Sequence, residues 1–144
     1  MASDDIPMTI TERRGRRYAS SGSAWEPVVG YSRAVRVGDR ILVTGTVGVE
    51  ADGGFADSLA GQARRALAIV RAAVEALGGT MEDVVRTRTY VTDITKWEEV
   101  GRVHGEVFAE IRPATTMVEV SRLIDPEILV EIEAEAVVVG GGDG

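Results

Sequence analysis

The feature that most constrains the fold is an alternation near the end of the chain. Val130, Ile132, Ala134, Ala136 and Val138 alternate with Glu131, Glu133 and Glu135. Successive strand residues point to opposite faces, so residues 129–139 predict a strand with one apolar and one acidic face. The sheet it joins must bury the first face. The second needs solvent or cations, because unpaired charges are costly to bury. Arg33, Arg86 and Arg88 are the candidate partners across the sheet. A glutamate in such a row acts as a general base or water-holding group, or is simply a solvated partner of arginine.

The remaining pattern supplies the cover. Residues 58–77 place Leu59, Ala63, Ala66, Leu67, Val70, Val74 and Leu77 on one helical face, with Asp57 or Ser58 as cap and Gly78-Gly79 as stop. Arg64, Arg65, Arg71 and Glu75 are expected on the opposite face. A second helix is expected from Thr95, with Thr95 and Glu98 as a capping box. Its stripe is Trp97, Val100, His104, Val107, Phe108 and Ile111, and Arg112-Pro113 ends it. Strands are expected over residues 31–37, 41–49, 84–92 and 115–121. In the first, Tyr31, Arg33, Val35 and Val37 share a side, and Gly38-Asp39 makes the hairpin turn. Residues 1–28 predict a loose N-terminal arm with a short strand near 8–11. Residues 29–139 form one domain, and 140–144 a flexible Gly-rich tail. The class is α+β, a mixed or mostly antiparallel sheet with two helices on one face. The uncovered face, expected to carry Tyr31, Thr115 and Met117 beside the acidic row, calls for another copy of the chain.

Composition narrows the function. A net charge of −7 disfavours nucleic acid as a partner. The Arg13, Arg14, Arg16 and Arg17 cluster reads as a solvated or edge-strand feature. With one histidine and no cysteine, neither a conventional zinc site nor a disulfide is expected. No apolar run is long enough for a bilayer and no leader is visible, which favours a cytoplasmic location and no membrane partner. His104 is either a hydrogen-bonded core or interface residue or an acid–base near pH 7. Tyr31 either stacks or donates a proton in a pocket, or simply packs.

Order and motif add more. The run Pro113-Ala114-Thr115-Thr116-Met117-Val118-Glu119-Val120-Ser121-Arg122-Leu123, followed by Val130-Glu131-Ile132-Glu133-Ala134, resembles the C-terminal signature of the Rid family. These are the reactive-intermediate deaminases, or YjgF-like proteins. Gly30-Tyr31 and Thr44-Gly45 are similar to the family's N-terminal half. The resemblance covers residues 29–139. It implies a chorismate-mutase-like fold, a homotrimer around a central β-barrel, and clefts between subunits. It implies hydrolysis of enamines and imines such as 2-aminoacrylate, without a cofactor.

Residue by residue, the resemblance makes Glu131 the water-binding glutamate and Tyr31 the pocket tyrosine. It makes Thr44 and Gly45 the backbone wall, and Met117 a pocket residue that is usually smaller. Thr115 stands where the family keeps the arginine that grips a substrate carboxylate. A hydroxyl replaces a fork of charge-assisted hydrogen bonds, each worth about 1.5–3 kcal/mol. Losing two weakens carboxylate binding roughly a hundredfold or more. Arg33, expected on the same strand face as Tyr31, is the candidate replacement. The resulting expectation is a small-molecule imine or enamine hydrolase whose substrate is not of the 2-aminoacrylate type. The alternatives are a non-catalytic trimeric binding protein and an enzyme for a dedicated pathway intermediate.

Overall fold

A computed structural model describes residues 6–140. Seven strands form one sheet: β1 (Thr9–Arg13), β2 (Arg16–Ser20), β3 (Ala34–Val37), β4 (Arg40–Val47), β5 (Val84–Val91), β6 (Ala114–Glu119) and β7 (Val130–Val137). Their spatial order is β1-β2-β3-β4-β7-β5-β6. Every neighbouring pair is antiparallel except β5 and β6. That parallel pair needs a crossover, and α2 (Trp97–Phe108) provides it. The longer helix α1 (Leu59–Ala76) joins β4 to β5.

Both helices cover one sheet face. Ala63, Ala66, Val70, Val74 and Leu77 of the α1 region are fully buried with Ile41 of β4 and Val130 and Ile132 of β7. This is the apolar half of the terminal alternation. Ser58 Oγ accepts from the Gly61 amide (3.0 Å) to start α1. At its other end Gly78 turns at φ +90°. There Arg36 and Arg17 donate to the Leu77 carbonyl (2.8 and 3.3 Å), placing cations at the negative end of the helix dipole. The opposite sheet face carries the expected charge ladder. Arg88 pairs with Glu133 (3.1 Å) and Glu135 (3.5 Å), and Arg40 with Glu135 (3.2 Å).

Several local expectations are corrected. Most of the arm is not loose, because β1 and β2 form a hairpin that extends the sheet beyond β3. Its turn uses Arg14 and Gly15 at φ 55° and 75°, the left-handed pair a tight hairpin requires. The arginine cluster lies along this hairpin, with Arg13 over the Tyr18 ring at 4.1 Å. Residues 1–5 of the arm and 141–144 of the tail lie outside the described residues. Arg65 is buried rather than on the solvent face of α1, and its Nε donates to the Val49 carbonyl (2.9 Å). The Thr95 capping box does not form. Asp93 takes that role, accepting from the Thr95 amide (3.0 Å), and a 3-10 turn at Ile94–Lys96 delays α2 to Trp97. Trp97 is exposed, while Val103 fills the core. The alternation expected from Tyr31 breaks before β3, since Arg33 and Ala34 are both buried. The backbone there is held by Arg33 N to Ala19 O (2.8 Å) and Thr44 N to Arg33 O (3.0 Å), which bends it out of strand geometry.

Candidate functional site

The candidate site begins with a fault in the sheet. The pairing of β4 with β7 shifts register between Val43 and Thr46, and Gly45 sits in that bulge. A bulge re-aims side chains and bends its strand. Here it makes room for Glu131 on β7. A Cβ on Gly45 would collide with Glu131 Oε2 and lie 3.1 Å from its Cδ, so only glycine permits this approach. Glu131 joins none of the arginine pairs made by its row-mates. Burial pushes its carboxyl above the usual range, Arg33 pulls it down, and Glu133 pushes it up again.

Arg33 anchors the other side. It is only 8% exposed. Its Nη1 donates to the Gly45 carbonyl (2.9 Å) and to Thr46 Oγ1 (3.0 Å), and its Nη2 reaches Tyr31 Oη at 3.4 Å. The guanidinium lies 5.5 Å from the centre of the Tyr31 ring. Tyr31 leaves a π-helical turn, Glu26–Gly30, through Gly30 at φ +90°, and its amide closes the turn on Glu26 O (3.0 Å). Thr44 Oγ1 donates to Ser32 O (2.6 Å), tying β4 to this bend. Tyr31, Arg33, Thr44, Gly45 and Glu131 thus lie around one bulge of a single chain.

Two depressions flank the cluster. A cavity of about 410 Å³ is lined by Arg33, Gly45, Thr46 and Arg65. A second, open hollow of about 700 Å³ is lined by Tyr31, Thr44 and Glu26. Sequence reasoning missed Glu26. Burial pushes its carboxyl up, but hydrogen bonds from Ser20 and Ser21 outweigh that and hold it low. Nothing in the local pattern marks it, because its burial comes from the turn. Tyr90 was also missed. It pairs in register with Glu131 and reaches Glu133 at 3.4 Å. Among the described residues, no cluster of three acidic or histidine side chains converges as a metal ion would need.

Thr115 and Met117 are not part of this cluster. β6 is an edge strand separated from β4 by β7 and β5, about 14 Å at ordinary strand spacing. They also lie on the helix-covered face rather than beside the acidic row. Thr115 stands next to Thr87, and Met117 next to Thr89, and both of those β5 residues are buried. Met117 packs against the core. Thr115 Oγ1 lies 2.7 Å from Thr87 Oγ1, which lies 2.8 Å from His104 Nε2. The His104 ring packs on Phe108, centroids 4.6 Å apart. The expected partner of His104 is therefore a buried threonine hydroxyl.

Comparison with known proteins agrees with this architecture. Residues 21–138 match the family described as Endoribonuclease L-PSP. The chain is 38% identical over 122 residues to SCO2049 of Streptomyces coelicolor, covering 83% of this chain and 90% of that one. It is 34% identical to the 2-iminobutanoate/2-iminopropanoate deaminase of Salmonella typhimurium, covering 74% and 86%. The crystal structure of Rv2704 from Mycobacterium tuberculosis, a member of the YjgF/YER057c/UK114 family, superposes with a TM-score of 0.80 at 53% identity. That match covers 85% of this chain and 99% of that one. The family match across most of the chain, together with the shared sheet and helices, shows that this protein belongs to the L-PSP/YjgF family, the Rid proteins.

Proposed function

We propose that the protein hydrolyses small imines or enamines to the carbonyl compound and ammonia without a cofactor, in a cleft between copies of a homotrimer. The observation that carries this reading is Glu131. It is a half-buried carboxylate seated on Gly45, free of the arginine ladder that neutralises its row-mates. Such a group holds and polarises a water beside a developing positive charge. Relatives named as 2-iminobutanoate/2-iminopropanoate deaminases support the reaction class.

The geometry supports a shared cleft. In one chain Glu131 and Thr115 lie on different strands and opposite faces, so a pocket using both needs a second copy. The exposed Val118 at 42% and Leu42 at 41% add apolar area that a neighbour would cover. Thr115 in place of an arginine sets the substrate apart from small 2-imino acids gripped by a fork. Arg33 supplies a buried guanidinium that acts on Glu131 and reaches the larger hollow's tyrosine. RNA cleavage is a poor fit to a net charge of −7 and an acidic sheet face.

Freshly generated 2-iminopropionate and bulkier, uncharged imines are the test substrates, with ammonia release as the readout. Wild type should accelerate release, most for imines without a carboxylate, and Glu131→Ala should not. Equal, uncatalysed rates for both proteins across the series sink the reading. The same threonine favours a second reading, a trimeric binding protein without turnover, which ligand-dependent thermal stabilisation without product would reveal.

A further inference from the structure

The only histidine of the chain is half-buried, yet it is wired to the surface. His104 Nε2 meets Thr87 Oγ1 at 2.8 Å, and Thr87 Oγ1 meets Thr115 Oγ1 at 2.7 Å. Thr87 is fully buried, so water does not serve its hydroxyl, and Thr115 stands exposed on the edge strand. A threonine hydroxyl carries one proton. With two partners this close, Thr87 donates to one and accepts from the other, so the row of three has a direction.

We propose that His104 is the proton acceptor of the site, reaching the ligand through Thr87 and Thr115, with Thr115 Oγ1 the atom that meets the ligand. In the neutral tautomer that carries its proton on Nδ1, the one the acceptor role requires, Nε2 accepts from Thr87, Thr87 accepts from Thr115, and Thr115 turns lone pairs outward. A ligand N–H or a water O–H is then the matching group, whereas a carboxylate is not. This polarity is the reverse of an arginine's at the same position. Burial holds the imidazole below its ordinary range, which keeps it neutral near pH 7. Burial is the cause of that lowering, and several charged groups of the neighbouring elements are paired elsewhere. Arg64 and Arg71 of α1 pair with Glu106 and Glu75, and Arg102 of α2 pairs with Glu98. Arg86 and Arg88 of β5 pair with glutamates on the opposite sheet face, and Glu119 of β6 holds the Ile94 amide.

The step rests on the imine-hydrolysis reading. Water attacks the carbon of a protonated imine, the C–O bond forms, and the C=N π pair moves to nitrogen. The surplus water proton passes to Thr115, Thr115 gives its own to Thr87, and Thr87 gives its own to Nε2. A neutral carbinolamine and an imidazolium result. The row then runs backward. Nitrogen takes the proton, the C–N bond breaks with its pair on nitrogen, and the hydroxyl proton leaves with the amine. Carbonyl product and ammonium depart, and His104 is neutral again.

Because the chain has one histidine, its imidazole resonances are unambiguous in ¹⁵N NMR. Thr115→Val keeps the β-branched shape and removes the hydroxyl, and Thr115→Ser keeps the hydroxyl. Thr115→Val should shift the His104 Nε2 resonance and its titration midpoint. It should lower kcat for the best imine substrate by about tenfold or more, leave KM within about threefold, and move the acid limb of the pH–rate profile off the His104 midpoint, leaving only the limb that protonation of Glu131 sets. In wild type the acid limb should coincide with the His104 midpoint. Thr115→Ser should stay within about threefold of wild type on all counts. Unchanged His104 resonances in Thr115→Val, or unchanged kcat, overturn the proposal while leaving imine hydrolysis standing. A wild type that accelerates no imine overturns the hydrolysis reading, and the acceptor role with it, whatever the resonances show.

Discussion

The Gly45 bulge and the Thr115 edge present polar groups from one sheet by opposite means. At the bulge, a register shift in the middle of the sheet opens space over a glycine, and a carboxylate is held there half-buried. Its environment is complete within one chain, since Arg33, Tyr31 and Thr44 are all fixed by nearby backbone. At the edge, a regular parallel strand leaves one flank unpaired, and the polar group is tied backward into the helix layer. The lesson is one of division. The charged cluster sits in the sheet interior, and the hydroxyl sits at the sheet's unpaired margin.

The comparison is tested most severely at Glu131. Glu131→Gln keeps the shape and removes the charge, so turnover should fall by about 10²-fold or more. Stability should respond in the other direction. Burial raises the folded carboxyl above its unfolded value, so its contribution is fully present below the unfolded value and is lost as pH rises through the folded one. Wild type should therefore lose stability relative to Glu131→Gln across that window in urea unfolding. An equal pH dependence for both proteins would show that the carboxylate is not desolvated.

Gly45→Ala attacks the same region from the backbone. The added Cβ meets Glu131 Oε2, so the carboxylate must move, and overpacking should cost about 1–3 kcal/mol by denaturant titration. Turnover should fall with it, whereas the His104 resonance at the distant edge should stay in place. A shift there would join the two regions that the fold separates.

Arg33→Met leaves the Gly45 carbonyl and Thr46 hydroxyl without their buried donor, at a cost of about 1–3 kcal/mol. It also removes the charge that pulls the Glu131 carboxyl down, so that group should titrate higher in ¹³C NMR. The smallest effect belongs to the ladder. Arg88 and Glu133 are both substantially exposed in one chain, so Arg88→Ala should cost a separate copy only about 0–1 kcal/mol. In the assembled protein the proposed neighbour over this face should make the loss larger and bring dissociation in ultracentrifugation, and a loss no larger than in a separate copy would contradict that cover.

How much of this was legible depended on which signal each residue carried. The terminal alternation fixed β7, its acidic face and its pairing needs, because a period of two admits few other readings. Gly45 was legible as a glycine inside an apolar strand, and Glu131 through its place in the motif. The face of Thr115 was not legible. Alternation says which β6 residues share a side, but not which side, and only the pairing with Thr87 in β5 decides it. Tyr31 and Arg33 were assigned to one strand face, yet they meet through a bend whose cause, the Ala19 carbonyl of β2, lies in the segment expected to be loose. Arg65 shows a similar limit. Helical periodicity placed it outward, and a loop carbonyl at Val49 drew it in.

The central claim is that the bulge and the edge meet only between copies. Co-expression of Glu131→Gln with Thr115→Val tests it directly through the ammonia-release rate of the mixed protein. Each variant alone lacks one half of every cleft. In random mixtures about a quarter of the clefts combine an intact Glu131 from one copy with an intact Thr115 from the next. The account predicts recovery to about a quarter of the wild-type rate. A mixture no faster than the mean of the two separate variants would contradict it.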